Sequence, residues 1–118
     1  MVKTNRERRS RRSKDVLKAL QYLLDALCAR YNLVSLVLGD DQGLLVAGSS
    51  HLLDAEEMAA RAPLVAREVL DNDFQGWPLR VWGARTGDDT LQFCGVGRDK
   101  ALAAATLHGG QAVRRILA

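Results

Sequence analysis

Residues 33–49 read LVSLVLGDDQGLLVAGS, two short apolar runs around the turn Gly39-Asp40-Asp41-Gln42-Gly43. In the first run, Leu33 to Leu38, almost every position is apolar rather than every second one. A strand with one wet face alternates, so a strand of this kind must be covered on both faces. The segments before and after the hairpin both carry helical periodicity. The order helix, hairpin, helix therefore points to a sheet covered above and below. It suits a protein-interaction module better than an enzyme.

A chain of 118 residues has the length of one domain. It can bury roughly two-thirds of its unfolded surface. Its 47% hydrophobic content is that of a globular protein. No apolar run approaches the roughly 20 residues needed to cross a bilayer. The N-terminal charges are not followed by the apolar stretch of a secretory signal. A cytoplasmic location is expected. Cys28 and Cys94 lie within apolar segments and read as reduced core residues rather than a disulfide.

Charge is unevenly distributed. Met1–Lys14 holds seven of the 17 basic residues and one of the 14 acids, a net of +6. The remainder holds ten bases and 13 acids, a net of −3. The basic character thus belongs to the tail and not to the body. Residues 1–14 are expected to be a basic flexible tail, and residues 15–118 the folded domain. Arg8, Arg9, Arg11 and Arg12 are candidates for contact with phosphates, nucleic acid, an acidic membrane surface or an acidic protein patch. A solvated tail that aids solubility is the plain alternative. No aromatic residue interleaves these arginines, so base stacking has no support.

Within the body, Val16, Leu17, Leu20, Leu23, Leu24, Leu27, Cys28 and Tyr31 recur at three- and four-residue spacing. They predict a helix over 15–31 with Ser13 as its N-cap. Strands are predicted at 33–38 and 44–47. Asp54-Ala55-Glu56-Glu57 has the form of a capping box and opens a second helix. Pro63 should kink or divide that helix, because it lacks an N–H and clashes with the preceding turn. Leu79–Arg85 and Thr90–Val96 predict a second hairpin around Thr86-Gly87-Asp88-Asp89. In it, Leu79 and Val81 face one side and Trp82 the other, while Leu91 and Phe93 oppose Gln92, Cys94 and Val96.

The last stretch is ambiguous. Ala101–Thr106 favours a helix by propensity, yet Gly109-Gly110 would then interrupt that helix at about 1 kcal/mol each. The pattern favours a fifth strand over 101–106, with a final short helix starting at the glycines.

Residues 36–49, LVLGDDQGLLVAGS, resemble the opening hairpin of the roadblock/dynein light-chain family. There an apolar strand, an acidic-Gly turn and an "LL-A-S" return strand follow a first amphipathic helix. The resemblance runs from about Asp15 to Leu117. It implies an α+β fold: a five-stranded antiparallel sheet with the first and last helices on one face and the middle helix on the other. It also implies a non-catalytic homodimer whose sheets join edge to edge and whose middle helices lie side by side. Such dimers serve as platforms for small Ras-like GTPases or motor complexes. Ala55, Ala59, Ala62 and Ala66 would allow close helix approach, with Arg61, Arg67 and Trp82 as further interface candidates. Simple packing of the alanines on the sheet is an equal alternative. Pro63 in the would-be interface helix and the Ala-rich fifth strand depart from the pattern.

Catalytic constellations do not emerge. There is no phosphate-binding glycine loop and no dinucleotide fingerprint. His51 and His108 lack neighbours at metal-ligand spacing. Asp40-Asp41 and Asp88-Asp89 sit beside Gly in hairpin turns, where Asp is a turn residue. Neither a cofactor nor a metal is implied. The expected function is a dimeric adaptor or GTPase regulator. A GAF- or profilin-like module binding a small ligand, and nucleic-acid binding through the tail, remain as alternatives.

Overall fold

Helix α1 spans Lys14–Tyr31 and buries Leu20, Leu24 and Leu27 along one stripe. It ends where Asn32 turns left-handed, at φ 54°. The amide of Leu33 then donates to the carbonyl of Cys28 at 3.0 Å, which satisfies a terminal acceptor of the helix. The computed structural model describes residues 14–49, 54–68, 70–74, 76–86 and 89–117, and the expected cap Ser13 lies outside them. After α1 come β1 (Ser35–Asp40), β2 (Leu45–Gly48), α2 (Ala55–Ala66), β3 (Asp73–Phe74), β4 (Trp77–Pro78), β5 (Arg80–Thr86), β6 (Asp89–Val96) and α3 (Asp99–Leu117).

All six residues of β1 are buried. The reason is its position: the main sheet runs β2-β1-β6-β5, every pair antiparallel, with β1 inside. Alternate side chains feed two separate cores. Leu36 and Leu38 join Leu91 and Phe93 of β6 beneath α1 and α3. Val37 joins Cys94 and Val96 beneath Met58, Ala59 and Ala62 of α2. Each fully buried Leu, Val or Phe contributes roughly 1.5–3 kcal/mol relative to exposure. The first and last helices thus cover one face and the middle helix the other, as the resemblance implies and in agreement with the two-sided burial read from the sequence. The expected alternation of Leu79 and Val81 against Trp82 also holds.

Residues 101–106 are not a strand. They lie inside α3, one helix of 19 residues that runs through both glycines. A Cβ on Gly109 would come within 2.9 Å of Leu27 and 3.1 Å of Phe93. The missing side chain therefore lets α3 settle against α1 and the sheet. Burial of Leu102, Ala105 and Val113 offsets the low helix propensity of the glycines. Among the described residues the main sheet accordingly has four strands rather than the expected five. A further sheet is a stub: β3 and β4 form a separate two-stranded pair, and Leu79 N–H donates to the Asn72 carbonyl at 2.7 Å.

Pro63 does not divide α2, which is continuous from Ala55 to Ala66. Only three residues of α2 follow it, so the proline interrupts the backbone ladder close to the end of the helix. Asp54 caps the other end, its Oδ1 accepting from Glu57 N–H at 3.1 Å. Just past the helix, Glu68 is left-handed at φ 59°. A residue with a Cβ is strained there by about 1–2 kcal/mol. Glu68→Gly should raise the unfolding free energy by about 0.5–1 kcal/mol, read as a higher urea midpoint at unchanged slope. A lowered midpoint would show that Glu68 makes a compensating contribution.

Candidate protein-interaction face

The helical layers differ in charge. Helices α1 and α3 carry six basic residues and three acids, a net of +3. Residues 40–73, which include α2, carry eight acids against Arg61 and Arg67, a net of −6. Since β1 starts opposite the end of β6, α1 and α3 run antiparallel. That places Lys14 and Lys18 of α1 at the same end of the layer as Arg114 and Arg115 of α3. Arg8, Arg9, Arg11 and Arg12 lie outside the described residues.

The candidate interface residues fall on both sides of the sheet. Ala59 and Ala62 are 1% exposed and engaged within the α2 core, so they have no surface to offer a partner. Ala59 approaches Gly39, where a Cβ would stand 3.2 Å from its own. Ala55 is half-buried against Gly48, where the corresponding distance is 2.9 Å. The packing of these three on the sheet is the plain alternative raised above. Ala66 and Arg67 are exposed. Arg67 Nε donates to the Pro63 carbonyl at 3.2 Å. Arg61 pairs with Glu57 at 3.1 Å and lies over the Phe74 ring at 5.4 Å. Trp82 sits on the opposite face, half-buried against the core beneath α1 and α3.

One further feature, a groove beside the sheet edge, is not evident from the sequence. Trp82 and Gly83 of β5 form one wall of a groove of about 460 Å³, and Ala103, Thr106, Leu107, Gly110, Gln111 and Arg114 of α3 form the other. Leu107 is 71% exposed. Strand β5 ends the main sheet, so its outer edge carries backbone N–H and C=O groups with no strand beside them among the described residues. A strand over 101–106 would scatter this stripe, because alternate residues point to opposite faces. A single helix over 99–117 would have placed residues 103, 107, 110 and 114 on one face.

The remaining polar groups have structural roles. The Asp40 carboxylate accepts from the amides of Gln42 and Leu44, both at 2.9 Å, and so organises the first hairpin turn. Ser49 Oγ accepts from Leu36 N–H at 2.9 Å. Ser50, His51 and Asp88 lie outside the described residues. Among the described residues no three His, Cys, Asp or Glu side chains converge as a metal site. Burial pushes the Cys94 thiol up to about 12. The Cys28 thiol is raised as well, by burial first, opposed by a hydrogen bond with Ser49 and aided by the charge of Asp25. Both shifts favour the protonated thiol at neutral pH.

No protein-family model matches this chain, and no curated protein matches it. Solved structures do. Myxococcus xanthus MglB superposes with a TM-score of 0.58 at 12% identity, over 90% of this chain and 92% of that one. A structure described as MglB with tetrameric arrangement gives 0.58 and 12%, over 89% and 92%. The fold is of the roadblock type. Among the described residues, no helix is long and apolar enough to cross a membrane.

A thiol whose folded pKa lies above its unfolded value stabilises the fold fully below the unfolded value. That stability is lost as pH rises through the interval up to the folded one. For Cys94 the interval runs from 9.0 to about 12. Above pH 9, wild type should lose stability relative to Cys94→Ala, by up to about 1.4 kcal/mol per pH unit. Parallel stability curves for the two proteins from pH 8 to pH 11 would refute this.

Proposed function

We propose that this chain is a cytoplasmic, non-catalytic homodimeric module that binds and regulates a small Ras-like GTPase or scaffolds a complex around one. The observation that carries the reading is the free edge of β5, a strand of seven residues on a sheet covered above and below by helices. A long unpaired edge is a template for another strand. Helices on both faces of the sheet are what the roadblock resemblance implies, and the likeness of fold to the MglB structures supports the reading. The titratable groups described above favour a binding surface over a reaction centre. In this assembly Ala66, Arg61 and Arg67 on the outer side of α2 form the partner-facing surface, with Trp82 beside the joined edge.

Light scattering at micromolar concentration should report twice the mass of 118 residues. The chain should also co-elute with a small Ras-like GTPase from its own source in one nucleotide state and change that GTPase's single-turnover hydrolysis rate. A dimer that binds no such GTPase in either state would remove the GTPase reading and leave the scaffold.

A second reading rests on the basic end of the α1–α3 layer. Lys14, Lys18, Arg114 and Arg115 add to the net +5 of residues 1–13 in the sequence that precedes α1. An anionic partner at this end would bind with steep salt dependence. Removing residues 1–13 should weaken binding to a nucleic-acid duplex and flatten its salt slope. Equal affinity and slope in the truncated protein would rule out the tail as the contact.

A further inference from the structure

We infer that the cavity at the end of the sheet where β1 starts and β6 stops binds a small apolar monocarboxylate, its body against Trp77 and its carboxylate on Arg98. The site lies apart from the surfaces of the proposed function. It shares no residue with the groove beside Trp82 or with α2.

The cavity holds about 340 Å³, inside the usual range of roughly 300–1,000 Å³ for small-ligand sites. Three stretches of chain meet there. The bend from α1 into β1 supplies Asn32 and Val34, the stub supplies Trp77 and Pro78, and the passage from β6 to α3 supplies Val96 and Arg98. Val96 is buried and Val34 half-buried, both packed with the α2-side core, so they form an apolar floor. The other four are exposed and form the rim. An apolar floor with a few polar groups at its mouth is the ordinary composition of a small-ligand site.

Trp77 is not needed to hold its own segment in place. The stub is anchored by Phe74, buried in the α2-side core, and by the bond from Leu79 N–H to the Asn72 carbonyl at 2.7 Å. Trp77 stays 45% exposed. A large ring left half in water beside an apolar floor is a surface for a second apolar group to cover.

Arg98 sets the charge of that group. It is the charged member of the lining, which holds no carboxylate to repel an acid. Among the described residues its guanidinium has no ion-pair partner, and the adjacent acid, Asp99, is held by Arg80 at 2.9 Å. The Arg98 carbonyl accepts from Leu102 N–H at 2.9 Å, so Arg98 is the N-cap of α3. An arginine there offers no side-chain acceptor to the first-turn amides, and its charge opposes the helix dipole. A bound carboxylate offsets that charge and matches the guanidinium fork with two N–H donors. The Asn32 amide and the Trp77 indole N–H are further donors at the same mouth.

The test is an NMR titration of the full chain with phenylacetate, following the indole N–H signal that Trp77→Phe removes. Phenylacetate should shift this signal saturably by millimolar concentration. The neutral phenylacetamide should bind at least about tenfold more weakly. Arg98→Gln should abolish the preference for the acid at an unchanged thermal midpoint, since the side chain is exposed, and Arg98→Lys should keep part of it. No saturable shift, equal affinity for acid and amide, or an undiminished preference in Arg98→Gln would each overturn the inference. Tighter binding of an acetylated dipeptide ending in phenylalanine would put a chain end in the cavity and overturn the small-molecule assignment. None of these outcomes touches the dimer mass or GTPase binding, so the proposed function stands or falls separately.

Discussion

Everything in this fold depends on β1 being covered on both faces. A six-residue strand with no polar-facing side can exist in water only between two layers, because each exposed Leu or Val would forfeit roughly 1.5–3 kcal/mol. That requirement sets the order of the chain. One amphipathic helix must come before the hairpin and another after it, on opposite faces. Leu36 and Leu38 then meet α1 and α3, and Val37 meets α2. Ser49 completes the arrangement at the rim, its hydroxyl and amide both bonding to the backbone of Leu36 at 2.9 Å. The most apolar segment of the chain is therefore structural, and the surfaces that can recognise a partner lie at the sheet edge and on the outer faces of the helices.

The separation of charge follows from the same layering. The α1–α3 side carries the excess of bases and the α2 side the excess of acids. Two such molecules attract head to tail and repel where like layers meet. An edge-joined dimer with parallel layers thus gains little from long-range electrostatics. It needs short-range terms, namely strand hydrogen bonds and packing. Screening over about 8–10 Å in physiological salt reduces the long-range repulsion but leaves those terms.

Much of the architecture was legible because its signals are local. Leu20, Leu24 and Leu27 mark α1 by spacing alone, and the Asp54 cap is written in four consecutive residues. The opposed faces of β6 can be read from Leu91 and Phe93 against Cys94 and Val96. What failed was non-local. Gly109 looks like a helix breaker until Leu27 and Phe93, more than 15 residues away in sequence, are seen to occupy the space its side chain would need. Losing that helix meant losing the stripe that carries Leu107. The alanines of α2 failed differently. Small residues permit close approach to any neighbour, and spacing cannot say whether the neighbour is a partner helix or, as at Gly39 and Gly48, the protein's own sheet.

With Ala59 against Gly39 and Ala55 against Gly48, α2 lies low over the middle of the sheet, and one helix covers a face that α1 and α3 share on the other side. Phe74 from the β3–β4 stub and Val81 of β5 pack into that same α2-side core, Phe74 under the Arg61 guanidinium at 5.4 Å. Strand β5 ends the sheet, so among the described residues its outer edge has no strand beside it, and the groove along it is bordered by the exposed Leu107 of α3. The packing that buries β1 on both faces thus leaves partner recognition to this edge.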